Sequence, residues 1–536
     1  MATQVVTGYG RPAEHIGLLR WLFTTNHHDI GILYISTSFL FFIMAGMLAL
    51  LMRVELAYPG ETVVNREVFN ALFTMHGTSM VFLVAIPMLA GFANLMMPPL
   101  IGADDMVFPR LNALSFWLIP PAGVLLWLGS SDRFKAAAIG WTGYAPLTLS
   151  AFSPGVGVDL WIVGLLLLGI SSTAGAINFI TTILRLRAPG ITFNNLSLFV
   201  WSVLVTAGLT LLATPVLAAG LFILLLERHG MVTFFSAAAG GDPLIWQHVF
   251  WFYSHPAVYI MILPIMGVIS EVIPRFSGKP IFGYKAIALS SVAIGFMGFG
   301  VWAHHMFTTG MSLSARLPFM ILTLAIAVPS GIKVFNWIMT MWGGVLDLRA
   351  PMLFAIGFVA MFVIGGINGM FQAPIPVDYP LQDTYWVVAH LHYVLFGGTI
   401  LGTFAGLYFW FPRMTGRMYS ERLAQWHFAF TIVGMNLVFF TMHFLGLLGM
   451  PRRVADYSAS LWSLNWLASL GAFVVGFGQV FFIANVVKSY FYGPHSEKDP
   501  WPVVAPPGLH VPTVGVPAVA ADGNGPTSRG APPRVP

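Results

Sequence analysis

Residues 386–411 read WVVAHLHYVLFGGTILGTFAGLYFWF, 26 positions without one Asp, Glu, Lys or Arg. As a helix this run is about 39 Å long at 1.5 Å per residue, enough to cross the roughly 30 Å hydrocarbon core of a bilayer. Composition decides between a membrane span and a buried helix of a soluble domain. The 536-residue chain is 57% hydrophobic and 8% charged, whereas soluble domains carry about 25% charged residues. Reading outward for similar runs gives about 12 spans: Gly31–Met52, Phe73–Met97, Ala113–Leu128, Leu160–Leu184, Leu198–Leu226, Ile245–Ile273, Ala286–Phe307, Phe319–Met339, Met352–Phe371, Trp386–Phe411, Trp426–Leu448 and Leu461–Val487. The predicted fold class is all-α, a polytopic membrane bundle, because a helix satisfies its backbone groups within one lipid-embedded segment.

An even number of spans places both termini on one side. About 16 of the 25 basic residues fall in the tails and even-numbered loops and about 8 in the odd-numbered loops, so both termini are predicted to be cytoplasmic. Basic residues are scattered rather than clustered, which argues against a nucleic-acid surface. Residues 1–30 form a cytoplasmic segment without the pattern of a cleaved signal peptide, and 31–490 form the bundle. Residues 491–536, rich in Pro and Gly, read as a largely disordered tail. Cysteine is absent, so any metal here must be held by nitrogen or oxygen.

Nine of the 15 histidines fall in or at the edge of spans, where polar groups are costly enough that function is the default reading. A lone buried histidine is usually a hydrogen-bonded core residue, which is the reading of His248, His427 and His443. Six others form patterns: His76 in FTMHGTSMVF, His255 in WFYSHPAVYIMILP, His304 and His305 in VWAHHMFTTG, and His390 and His392 in the opening stretch. Residues two apart on a helix point about 200° from each other, so His390 and His392 address two different sites. Adjacent His304 and His305, about 100° apart, reach one metal only where the helix end is irregular or the metal lies between their directions. His255 and Tyr259, four residues apart, share a face. Neutral imidazoles suit iron, copper or zinc. Six can divide as two axial ligands for one haem, one for a second haem with an open position, and three for a copper. The rival from another class, a zinc transporter, would bring intramembrane Asp or Glu to the histidines.

From Thr24 to Val487 the chain resembles subunit I of the haem-copper oxidases, of the cytochrome c oxidase kind. The matching stretches are TTNHHDIG, FTMHGTSMVF, IGADDMVFPRLNALSFW, GAINFITTILRLRAPG, WFYSHPAVYIMILP, VWAHHMFTTG, GIKVFNWIMTMWGG, DTYWVVAHLHYV and FLGLLGMPRR. The resemblance implies a terminal respiratory oxidase that reduces dioxygen to water and translocates protons. His76 and His392 then hold a low-spin haem iron, His390 a high-spin haem iron, and His255, His304 and His305 a copper. Tyr259 matches the tyrosine covalently joined to the first copper ligand, and His255 and Tyr259 are the catalytic pair. Arg452 and Arg453 match the pair that holds haem propionates, with Asp378 and Asp383 in the same region. Arg53 matches an arginine that bonds the formyl group of haem A, and Trp141 and Trp251 match aromatics at the haem edges. The family has histidine before the second aspartate, as a magnesium ligand. Gln382 stands there, so magnesium is bound differently or absent.

Two proton routes follow from the same resemblance. Lys333 is the one Lys or Arg in mid-span, and Thr323, Lys333, Ser270 and Tyr259 match the family's lysine pathway. A second route starts at Asp105 and uses Asn94, Asn112, Asn178, Ser171 and Ser172. It normally ends at a glutamate two residues after the first copper ligand, where this chain has Ala257. A subgroup replaces that acid with Tyr-Ser one turn earlier, which Tyr253 and Ser254 fit. A quinol oxidase of the same family is the alternative; its polar quinone-site residues on the first two spans have no counterparts here. A nitric oxide reductase would lack Tyr259. Cytochrome c is the expected donor. The missing cysteines imply a partner, subunit II, carrying a dinuclear copper centre, beside subunit III and smaller subunits. The expected location is the bacterial inner membrane.

Overall fold

The computed structural model describes residues 17–501, and among the described residues there are helices and loops but no β-strand. Twelve helices are long and apolar enough to cross a membrane: α1 (His27–Glu55), α2 (Arg66–Ile101), α3 (Pro109–Leu128), α4 (Gly157–Arg185), α5 (Leu198–Arg228), α6 (Pro243–Ser277), α7 (Tyr284–Met306), α8 (Leu313–Met341), α9 (Ala350–Gln372), α10 (Tyr385–Thr415), α11 (Glu421–Leu447) and α12 (Ala459–Tyr492). Each predicted span falls within one of them, to a residue. Several helices begin earlier than hydropathy predicts because a short polar side chain caps them. Asn65 accepts from the Val68 amide ahead of α2, Ser312 from Ala315 ahead of α8, and Thr384 from Trp386 ahead of α10.

Sequence neighbours pack side by side, and α12 returns to α1 to close the bundle. The burial is uneven: α2 and α6 bury 83% of their most apolar stretch, α8 17% and α12 22%. The centre of the bundle is therefore built on the two helices that carry His76 and His255.

Departures from α geometry concentrate at the histidines. Wide π turns occupy Met80–Ala85 in α2, Leu395–Ile400 in α10 and Asn436–Phe440 in α11. The first two follow His76 and His392 closely, and the third supplies Phe439, whose ring stacks on His392 at 4.4 Å. Such turns recur at functional sites. In α7 the α-helix ends at Met297 and the chain continues in 3-10 turns through Trp302–Met306. An irregular helix end is one of the two arrangements that let adjacent His304 and His305 reach one metal.

The beginning of the tail is packed rather than free, contrary to its composition. Trp501 is buried against Phe276 and Phe409, its indole N–H donates to the Phe409 carbonyl at 2.9 Å, and Asp499 pairs with Arg275 at 2.8 Å. The residues before it are tied down as well, with Met418 N–H donating to the Pro494 carbonyl at 2.9 Å and Ser496 N–H to that of Gly416 at 3.0 Å. The rest of the predicted tail, 502–536, and the first 16 residues of the predicted N-terminal segment lie outside the described residues.

Candidate active site

A cavity of about 1040 Å³ runs through the bundle, at the upper end of what one drug-sized ligand fills. His76, His255, His304, His305, His390 and His392 all line it. The His76 and His392 rings face each other 6.3 Å apart and within 9° of parallel. Two metal–imidazole bonds of about 2 Å, with roughly 1 Å from each nitrogen to its ring centre, come to about 6 Å. The pair therefore fits the two sides of one six-coordinate iron.

Hydrogen bonds fix which nitrogen faces the cavity. His76 donates from Nδ1 to the Ala45 carbonyl at 3.0 Å, His392 to Val388 at 2.7 Å and His390 to Gly365 at 3.0 Å. A carbonyl only accepts, so each ring carries its hydrogen on Nδ1 and leaves the Nε2 lone pair for a metal. His390 addresses α9 while His392, two residues on, addresses α2, as their opposed directions predict. Gly369 lets His390 approach: a Cβ there would stand 3.0 Å from its Cε1.

His255, His304 and His305 place three ring nitrogens within 4.8 Å of one another, the one such group of His, Asp or Glu among the described residues. His255 Nδ1 and His305 Nε2 are 3.3 Å apart, about the separation of two ligands each ~2 Å from a metal in tetrahedral geometry. His304 turns its Nδ1 to the Thr323 hydroxyl at 3.0 Å, leaving Nε2 for the cluster. Trp251 stacks on His305 at 3.7 Å and donates to the Tyr144 hydroxyl at 2.6 Å. The Tyr259 ring lies 4.7 Å from that of His255, and His255 Nε2 is buried without a partner.

The sequence matches the family of cytochrome c and quinol oxidase polypeptide I over residues 29–474. This chain belongs to that family. It is 51% identical to cytochrome c oxidase subunit 1 of Synechocystis over 479 residues, 89% of this chain and 86% of the relative. It is 47% identical to cytochrome c oxidase polypeptide 1 of Halobacterium salinarum over 497 residues, 92% and 83% of the two chains. Among solved structures, a heme-copper terminal oxidase dimer determined by cryo-EM shares the fold with a TM-score of 0.78 at 19% identity, over 88% of this chain and 85% of that one. The family implies haem and copper cofactors, an integral membrane location and assembly with further subunits.

The cavity of this oxidase-family chain is edged by polar atoms that lack partners. Arg53 is held by Ser469 and the Asn465 carbonyl through Nε and Nη2, while Nη1 is free. Arg453 Nη2 and Asp378 Oδ2 are also buried and unpartnered. Burying a polar group unpaired is costly, so these atoms mark where a polar ligand edge belongs. Burial pushes the Asp378 carboxyl up to about 7, with Asp383 adding and Arg452 opposing. Burial and neighbouring Arg452 bring Arg453 down to about 10. Arg452 itself pairs with Asp383 at 2.6 Å. Trp141 lies over Gly77, where a Cβ would meet its ring at 3.1 Å. Of the three histidines read as core, His427 bonds Tyr408, His443 bonds Asn368 and His248 bonds Trp302.

Three residues of the acid-led route, Asn94, Asn112 and Ser171, are linked through Ser115. Asn112 donates to Asn94 at 2.6 Å, Ser171 to the Ser115 carbonyl at 2.5 Å, and the Tyr34 and Ser115 hydroxyls are 2.9 Å apart. Asn178 pins the Phe108 backbone with two bonds of 3.1 Å. Burial raises the pKa of Asp105 at its mouth, against lowering by the Met106 amide and His27. Tyr253 lines a small cavity of about 10 Å³ with Ser172 and Thr214, whereas Ser254 lines the large one, its hydroxyl unpartnered.

Among the described residues no hydrogen bond joins the four residues matched to the lysine route. Thr323 accepts from His304 Nδ1 at 3.0 Å. Ser270 gives its hydrogen to Met266 and receives the Trp337 indole N–H at 2.9 Å. Lys333 reaches instead to Ser291 and Ile287 of α7. The Thr323 and Ser291 contacts cross between helices and the Tyr144 contact joins a loop to a helix, and no spacing along the chain signals them.

Proposed function

We propose that this chain is the catalytic subunit of a cytochrome c oxidase in a bacterial inner membrane, with both termini cytoplasmic and residues 31–490 as the catalytic domain. His76 and His392 would hold a low-spin haem, His390 a high-spin haem, and His255, His304 and His305 one copper. When bound, these groups supply an electron relay and a centre that reduces dioxygen. The observation that carries the reading is one cavity lined by a parallel histidine pair and a converging histidine trio. Relatives named as cytochrome c oxidases at about 50% identity support cytochrome c over quinol as the donor.

The chain's own groups then have defined tasks. Arg53 Nη1, the free donor at the cavity wall, would donate to a formyl oxygen, which favours haem A. Arg452, Arg453 and Asp378 offer charge-assisted bonds to carboxylates at the other edge, and Trp141 packs the rim. Tyr259 supplies a hydrogen and an electron beside the copper ligands, and the free Nε2 of His255 is the atom for its cross-link. Asp105, with Asn94, Asn112, Asn178, Ser171 and Ser172 ordering water, delivers protons toward Tyr253 and Ser254. Ala257, buried on the cavity side, leaves that pair to do the work of an acid. Lys333 serves Tyr259 from the other side. Asp383 is engaged by Arg452 and Gln382 offers only a neutral oxygen, so magnesium here needs ligands from a partner. Subunit II supplies the thiolate copper centre this chain has no cysteine to make, with subunit III and smaller subunits completing the complex.

Reduced-minus-oxidised spectra of the purified complex, with iron and copper counted in this subunit, test the proposal. Two haems per copper, one six-coordinate and one high-spin, together with oxygen uptake driven by reduced cytochrome c are expected. A zinc-only or haem-free preparation that is folded would overturn it.

A further inference from the structure

Lys333 is 1% exposed, sits about two-thirds of the way along α8, and makes no ion pair among the described residues. An ammonium at that depth needs polar partners. Both of its partners come from α7: the Ser291 hydroxyl at 2.6 Å and the Ile287 carbonyl at 3.1 Å. Ser291 gives its own hydrogen to Ile287 at 3.1 Å, so both of its lone pairs are available to Nζ. The Ile287 carbonyl also receives Ser290 at 2.8 Å and is the more crowded acceptor. Ser270, the hydroxyl on the matching helix, is tied to Met266 and Trp337.

We propose that Ser291 is a positioning residue for proton delivery, the entry-side rest from which Lys333 loads its proton. The inference deepens the reading of Lys333 as carrier and rests on it. Level supports the assignment. Ser291 is seven residues into α7 and Lys333 eight from the end of α8, each about 10–12 Å from those helix ends at 1.5 Å per residue. Tyr259 lies 18 residues from the corresponding end of α6, about 27 Å. The amine therefore rests about 15 Å short of the phenol it serves, at the loading end. One turn up on the same face of α8, Ser330 lines the large cavity, which marks the unloading end. In the step itself the Ser291 hydroxyl passes its hydrogen to the free amine as it takes one from hydronium on the entry side, so the serine ends neutral, and the ammonium releases its proton to water on the cavity side; no electron moves. A hydroxyl suits this role because it rotates, accepting from the ammonium and donating to the free amine. A carboxylate would hold the ammonium and stop the cycle.

The test uses the whole complex, loaded with its metals. Adding an electron to a buried centre without a compensating proton is costly, so the rate at which the oxidised high-spin haem is reduced reads proton delivery. Losing a hydrogen bond to a charged group should slow that phase in Ser291→Ala by about 10-fold. Ser291→Thr should restore it, with haem spectra and copper content unchanged in both. Ser291→Val against Ser291→Thr carries the same comparison if the alanine variant does not assemble. Lys333→Met separates the two layers of the argument. If Lys333→Met slows the phase and neither Ser291→Ala nor Ser291→Val does, the rest position is overturned and the carrier stands. If Lys333→Met leaves the phase unchanged, the carrier reading fails and this inference falls with it.

Discussion

The two histidine sites in one cavity are built in opposite ways. His76 and His392 stand on long helices, held 9° from parallel with 6.3 Å between rings, and π turns on α2, α10 and α11 widen the backbone around them. His255, His304 and His305 join a helix interior to a 3-10 turn, with rings crossing at 89°, 48° and 47°. A flat group needs two donors on one axis with a slot between them. A single ion needs donors that converge. The same side chain serves both because the backbone, not the residue type, sets the direction of the lone pair.

The most severe way to break this comparison is to remove one ligand from each site. His392→Ala should abolish the six-coordinate haem spectrum and turnover while copper is retained. His304→Ala should abolish turnover and copper binding while the six-coordinate spectrum survives. Optical spectra and metal analysis of the two purified variants decide it; crossed losses would mean the sites are not independent.

Next in size is Thr323, whose hydroxyl holds His304 at 3.0 Å. Partners of metal-bound histidines are worth about 10–100-fold in affinity. Thr323→Val should weaken copper retention against a chelator by that factor, leave the His76–His392 spectrum intact, and leave haem reduction through Lys333 intact. A slowed reduction with normal copper would return Thr323 to the lysine route.

That reassignment shows what the sequence carries. Twelve spans are legible because apolar length is a local property, and six histidines are legible because lipid makes each one conspicuous. The opposed directions of His390 and His392 follow from helical period alone. Thr323 is not legible in the same way: ten residues from Lys333 on one helix, it looks like a neighbour on that path, while its true partner lies across a loop. Ser291 is one of two adjacent serines on an apolar helix until α8 is packed against it. Trp501 is hidden by the composition around it, since burial of one indole depends on a socket made by α6 and α10. Contacts between helices are tertiary facts, and period or propensity does not encode them.

The pair Tyr253 and Ser254 tests whether the trio depends on a gate next to it in sequence. Tyr253 faces the small cavity with Ser172 and Thr214, and Ser254 the large one, so neighbouring residues join two spaces. Tyr253→Phe with Ser254→Ala should lower turnover by about 10-fold, a fraction of the 10²–10⁴ that positioned proton transfer contributes, and lower proton release per electron in vesicles. Metal content should not change. Normal turnover and normal proton release together would put the gate elsewhere.

The smallest effect is expected at Asp378, which belongs to the cavity edge rather than to either site. Burial first, and then Asp383, push its carboxyl up to about 7 against Arg452, from an ordinary value near 3.9. Folded protein thus binds more protons than unfolded between about pH 4 and 7. Stability contributed through this group is full at low pH, falls as pH rises through that window, and is flat above it. Asp378→Asn should remove that slope, so the variant gains on the parent in thermal stability from pH 5 to pH 8. A protonated-carboxyl infrared band should be present in the parent at pH 5, fade as pH rises through about 7, and be missing in the variant. The six-coordinate spectrum and copper content should be the same in both, because this acid touches the edge that the two sites share and the ligands of neither. A variant that kept the band, or that lost one site and not the other, would place the raised carboxyl on a different residue.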